Sequence, residues 1–303
     1  MDVFLSMFSE PINSLVTSFL YAALYILFYL LLIALIPQQS MIIEQLFIYI
    51  FIVIFAQKVI DAFVVLYELI QVLQHFYIAV IPVITLLLIA IQNIFTILAW
   101  NPIIIFLIQA ILFISTKLLI PTLLCALFLD VCTKIYPAIS FSKAAELLRT
   151  SVLSIILAAV IALTSILTFS GVAFFQLNEA VKSPIKKLIE SNIPLIGNLI
   201  VEGLSFFQKT QSTVSSVVGL GFLTVVWTAA FYPAIVLLLH ALLFKVIGAF
   251  VEPFSNTRMS SLFDDVGKTL LVLCAVALLL GFSIVFIVLL CIVFTQLSLG
   301  GSS

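Results

Sequence analysis

Between residues 19 and 36 the chain reads FLYAALYILFYLLLIALI, eighteen residues without a charge, a glycine or a proline. As a helix rising about 1.5 Å per residue, such a run nearly crosses the ~30 Å of hydrocarbon in a bilayer. Further apolar runs follow at 41–56, 76–91, 102–129, 151–175, 217–243 and 270–294. Backbone in lipid must satisfy its own hydrogen bonds, and the short alternating strands of a membrane barrel are absent from the sequence, so helices are the expected solution. The fold class expected is all-α, a polytopic integral membrane protein. Seven spans are expected, within a range of six to eight.

Composition supports this. Of 303 residues 65% are hydrophobic and 8% charged, against roughly 25% charged in soluble domains. The formal net charge of -1 argues against nucleic acid as a partner. Cys125, Cys132, Cys274 and Cys291 lack the paired spacing of a metal or redox site and read as small buried hydrophobes. No basic residue precedes Lys58, so 19–36 is expected to be a retained span and not a cleaved leader.

The interruptions carry most of the remaining information. Lys58, Asp61, Glu68 and Gln71 follow the second run and mark an amphipathic continuation, in water or against other helices. Asn101-Pro102 breaks the helix after Trp100. Pro121 and Pro233 are expected kinks; the fourth run is either one kinked helix or a span followed by a half-helix. Ser154, Ala158 and Ala162 recur every four residues and read as a helix-packing stripe. Residues 176–216 read as an amphipathic hairpin at the interface, and 298–303 as a frayed tail.

Ser142 is the expected N-cap of the stretch FSKAAELLRT that leads into the fifth span, with Glu146 near the positive helix end and Arg149 one turn on. The polar stretch 251–270, VEPFSNTRMSSLFDDVGKTL, reads as a water-side connector capped at Asn256 or Ser260. In it Glu252, Arg258, Asp264, Asp265 and Lys268 are expected to face partners. The connectors 130–149 and 245–268 each hold three basic residues, which places both in the cytoplasm and the hairpin outside.

Ionisable residues in spans point to function, and Lys117, Asp130, His240 and Lys245 are the candidates for an interior or pore. The competing reading is that Lys117 and Lys245 snorkel to an interface and that His75 and His240 are hydrogen-bonded packing residues. No metalloprotease, phosphate-loop or hydrolase motif occurs in the sequence. The protein is accordingly expected not to be an enzyme, with no catalytic residue, cofactor or metal.

FSKAAELLRTSVLSI at 141–155, SNIPLIGNLIVEG at 191–203 and the stretch 251–270 together resemble the stage III sporulation protein AE family. The likeness covers about 76–294, giving a family-like core at 76–297 and an N-terminal membrane region at 1–75 whose topology stays open. The resemblance implies that family members begin with a signal-like segment and a region outside the membrane, both of which are expected to be missing or shortened here. The resemblance implies a subunit of the channel between mother cell and forespore, in the mother-cell membrane around the forespore. It also implies other sporulation membrane proteins and a secretion-type ATPase as partners, and a likeness to permeases. An autonomous small-solute transporter, with broken helices around Lys117 and Pro233, is the alternative; an enzyme acting on lipid is the weakest reading.

Overall fold

The computed structural model describes residues 2–90, 106–136, 138–177, 217–253 and 257–300. They form six long helices: α1 (Asp2–Leu35), α2 (Ser40–Ala90), α3 (Phe106–Ile135), α4 (Ser142–Leu177), α5 (Val217–Val251) and α6 (Thr257–Gly300). No strand occurs among the described residues. Five stretches are long and apolar enough to cross a membrane: Ile42–Ala79, Phe106–Ile135, Ser142–Ile166, Phe231–Val251 and Arg258–Ile287. A shorter apolar helix, Leu20–Leu35, joins them.

Two of the seven expected spans are one helix. The second and third runs lie in α2, 51 residues without interruption, because no glycine or proline stands between Ser40 and Ile81 to end it. The expected break at Asn101-Pro102, the hairpin at 176–216 beyond Leu177, Asn256 and the last three residues of the tail lie outside the described residues.

The fourth run is also a single helix. Pro121 has no N–H to give and its ring crowds the carbonyl one turn back; α3 absorbs this in a π-turn at Ser115–Leu119, where the Ile120 N–H reaches the Ser115 carbonyl. Thr122 donates its hydroxyl to the Leu118 carbonyl across the same place (2.6 Å). The helix continues to Ile135, and Lys117 is exposed rather than turned into an interior. α5 likewise passes Pro233 without ending.

The chain divides into two compact units. The first comprises Met1–Ile70, Ile114–Ile156 and Phe231–Leu278. At its centre runs α6, buried nearly all round from Met259 to Ala277. An aromatic cluster packs against its beginning. Phe263 meets Phe51 edge-on at 4.6 Å between ring centroids, and Phe55 meets Phe244 in the same way at 5.8 Å. Tyr25 and Tyr29 close the cluster over Phe47, and the Tyr25 hydroxyl donates to the Phe47 carbonyl. Such ring pairs contribute about 0.5–1.5 kcal/mol each beyond the area they bury.

The second unit comprises Gln71–Phe113, Leu157–Ala230 and Leu279–Ser303. Its buried residues include Leu73, Tyr77, Ile108, Leu112, Val160, Leu163 and Ile284. Within this apolar packing the Tyr77 hydroxyl bonds Ser283 Oγ (2.9 Å), which passes its own proton to the Leu280 carbonyl (2.6 Å). Tyr77→Phe is expected to cost about 0.5–1.5 kcal/mol, since Ser283 keeps its second partner. A thermal melt in detergent checks this, and a larger loss would mean that the phenol holds more than this one bond.

Candidate functional site

One end of the first unit contains a layer of charge in the middle of apolar packing. Asp130 and Lys134 on α3, Arg149 on α4, Lys245 on α5, and Asp264, Asp265 and Lys268 on α6 build it. Each residue stands five to eleven positions from the connector end of its helix for all but Lys134, which at 1.5 Å per residue is roughly 10 Å in. Four helices therefore present ionic groups at one depth.

Local sequence sets this register. α3 ends where Thr133 donates to the Leu129 carbonyl (2.9 Å) and accepts the Phe141 N–H (2.9 Å), folding the connector back on the helix end. α4 then starts at Ser142, whose hydroxyl lies 2.8 Å from that of Ser140. Its inward line runs Ala145, Arg149, Val152, Ile156, Val160, Leu163, all buried. Ser154, Ala158 and Ala162 fall two residues off that line, on the opposite, exposed face. The small-residue stripe is thus not where α4 is buried among the described residues.

Arg149 is the hub, only 6% exposed. Its Nη2 donates to Asp130 Oδ2, Nε donates to Thr269 Oγ1 (2.9 Å), and Nη2 also reaches the Asp265 carbonyl (3.2 Å). Thr269 returns its proton to that same carbonyl (3.1 Å). The Asp265 carboxylate binds Lys134 (2.9 Å) and, more loosely, Lys268 (3.4 Å). Asp264 faces the other way, between Lys268 (2.8 Å) and Lys245 (3.1 Å). A planar guanidinium fork suits this task because it satisfies several acceptors on different helices from one rigid group. Four cations meet three carboxylates, so one positive charge is left over, on the half-exposed side where Lys245 and Lys268 stand.

The stretch 251–270 is therefore not all connector. Among its described residues Glu252 and Pro253 stand outside the helices, and from Thr257 on it is the opening of α6. Ser260 caps no helix but lies inside α6 and donates to the Gly248 carbonyl on α5 (3.0 Å). Of the five residues expected to face partners, Glu252 and Lys268 are exposed, Arg258 and Asp264 half-buried, and Asp265 buried. Asp264 and Asp265 are matched to cations on other helices, Lys245 and Lys134. Asp264 and Lys268 do form the expected pair one turn apart.

Among the four interior candidates, Asp130 and Lys245 enter the layer, while Lys117 and His240 do not. His240 is half-buried, its Nδ1 2.8 Å from the Val236 carbonyl of its own helix. Cys274 is buried and donates to the Ala234 carbonyl (3.2 Å), whereas Cys125 is exposed. Sequence reading missed Lys134, Thr269 and the central place of Arg149. The available signal was an imbalance: Asp130 and Asp265 each sit beside an apolar run, and a carboxylate there demands a cation. Among the described residues no three of His, Cys, Asp and Glu come together as metal ligands. Chemically, the layer holds ionised groups in fixed pairs, which locks four helices in register.

Helices of this length and apolarity, tied by buried ion pairs, define a multi-span helical membrane protein. The chain belongs to the stage III sporulation protein AE family, whose profile matches residues 3–296. That match takes in the N-terminal 75 residues as well as the core, further than the passages of sequence resemblance reach. Neither a curated protein nor a solved structure matches the chain.

Proposed function

We propose that this sporulation protein is a non-enzymatic, multi-span subunit of a channel or secretion-like complex joining mother cell and forespore, resident in the mother-cell membrane. Membership in the family over residues 3–296 carries this reading. It is supported by the character of the charged layer, which is built to hold helices and not to process a substrate. In this role the other membrane proteins of the complex supply the rest of the wall, and a secretion-type ATPase supplies the energy. Lys268, Glu252 and the half-buried Asp264 and Arg258 offer those partners a charged edge at the connector end.

Deleting the gene in its own host tests the proposal. Heat-resistant spores are expected to fall by orders of magnitude, with arrest after the forespore has been engulfed. The tagged chain is expected to copurify with sporulation membrane proteins and the ATPase, and to move no solute alone in liposomes. Normal spore counts, or solute transport by the chain alone, would overturn it; the second result would favour an autonomous transporter.

A further inference from the structure

The acids of the charged layer each meet a cation; Glu44, buried in the same unit, does not. It is the fifth residue of α2 and only 3% exposed. Its Oε1 is sealed from solvent and has no hydrogen-bond partner among the described residues. Phe47 and Ile48, three and four residues on and so over the same face of the helix, are each 1% exposed. Tyr25 and Tyr29 of α1 lie against Phe47, at 5.3 and 5.1 Å between ring centroids. The carboxyl is thus set among close-packed apolar and aromatic groups.

One cation stands near it. The charge of Arg258, the second residue of α6, reaches Glu44. One to two turns further along both helices Phe51 meets Phe263, so in this unit α2 and α6 start side by side and run the same way. Yet the two charges are not joined: among the described residues the ion pairs belong to Lys134, Arg149, Lys245 and Lys268. Arg258 is half-buried, with part of its surface in the open.

An ionised carboxylate held this way would be an unpartnered charge in apolar packing, which proteins avoid by neutralising the group or by pairing it. Because Oε1 has no opening to solvent, the ligand that neutralises it must need no space. We propose that Glu44 is a proton-binding site, neutral in this arrangement, and that its ionisation draws Arg258 onto it, so that one proton decides whether α2 and α6 are tied together at their starts. The O–H bond breaks, the proton goes to water, and the carboxylate then accepts N–H bonds from the guanidinium. The other titratable groups beside this place are the phenols of Tyr25 and Tyr29 on α1, and Tyr25 is committed to the Phe47 carbonyl. A metal ion is disfavoured, since among the described residues no three of His, Cys, Asp and Glu come together. A permanent ion pair with Arg258 is the competing arrangement. The inference does not depend on the conduit reading, and spore counts do not enter its test.

The test compares the full chain, purified in detergent, with Glu44→Gln, which copies the neutral acid and cannot ionise, and with Arg258→Gln. At neutral pH the infrared spectrum of the parent is expected to contain the carbonyl stretch of a protonated carboxylic acid that the spectrum of Glu44→Gln lacks. Raising the pH is expected to remove this band, and in Arg258→Gln the band is expected to persist to higher pH, because the ionised form has lost its partner. Phenylglyoxal, which modifies arginine, gives the second reading: Arg149 and Arg258 are the only arginines in the chain, and Arg149 is buried. Where the band has gone, Arg258 is expected to be modified several-fold more slowly in the parent than in Glu44→Gln, since the carboxylate holds it; where the band is present, the two rates are expected to be equal. Absence of the acid band at every pH at which the protein stays folded would mean a permanent ion pair and overturn the proposal. So would a band that titrates while Arg258 is modified alike in both chains, which would leave a buried acid that ties nothing.

Discussion

Arg149→Ala is expected to leave little folded protein in the membrane. Among the described residues the arginine alone donates to Asp130, Thr269 and the Asp265 carbonyl together, and Asp130 is itself just 4% exposed. Truncating it strands a buried carboxylate, a change that typically costs about 3–5 kcal/mol, a large part of the ~5–15 kcal/mol that holds an ordinary domain together. Lys134, one turn from Asp130, does not stand ready to replace it, because it is bound to Asp265 at 2.9 Å. Arg149→Lys is expected to recover part of the loss, keeping the charge without the fork that reaches Thr269 at the same time. Asp130→Leu with Arg149→Met is expected to recover more, since removing both partners leaves no charge unpaired. Melting in detergent and yield in purified membranes read all three. A melt of Arg149→Ala indistinguishable from the parent would show that the layer is not what fixes α3, α4 and α6.

The class of fold was legible because it depends on totals: too little polar surface for a globule, and apolar runs of span length. Individual spans were harder to place. Residues 41–56 and 76–91 looked like two helices because Lys58, Asp61 and Glu68 intervene, yet charge on one face does not stop a helix, and α2 runs through. Pro121 was legible as a disturbance, but whether it breaks a helix or is absorbed in a π-turn depends on packing around Leu119 and Leu123, both wholly buried.

The candidate site was half legible. Asp130 and Lys245 could be picked out as costly residues in apolar runs, but their partners lie 19 residues away in each case, across a turn, at Arg149 and Asp264. One sequence does not show which of several charges will meet. The same limit explains the misreading of 251–270: Asp264 and Asp265 are neighbours in the chain and point to different cations on different helices. Ser154, Ala158 and Ala162 were found by their spacing, which reveals that a face is small but not which way it turns; Val152, Ile156 and Val160, two residues away, set the direction.

Gly267→Leu is expected to separate α5 from α6 and to take the charged layer apart with them. A Cβ at residue 267 would stand 2.7 Å from Lys245 Cγ, 3.2 Å from the Ala241 carbonyl oxygen and 3.3 Å from the Lys245 backbone nitrogen. The lysine side chain can swing aside, but the other two atoms belong to the backbone of α5, so only a movement of the whole helix makes room. Gly267→Ala asks for a few tenths of an ångström; its overpacking, about 1–3 kcal/mol, is partly offset by the ~1 kcal/mol that alanine gains over glycine inside a helix. Leucine has no such offset, and the movement it requires pulls Lys245 from Asp264 and shifts Thr269, two residues on, away from Arg149. Gly248→Ala is expected to be mild, its nearest obstacle being the Ser260 carbonyl oxygen at 3.2 Å. The order Gly267→Leu far below Gly267→Ala, with Gly248→Ala closest to the parent, is to be read as melting temperature and as heat-resistant spore count in parallel. Equal melting for leucine and glycine at 267 would mean that the two helices do not approach there, and the close packing that brings Lys245 to Asp264 would have to arise elsewhere.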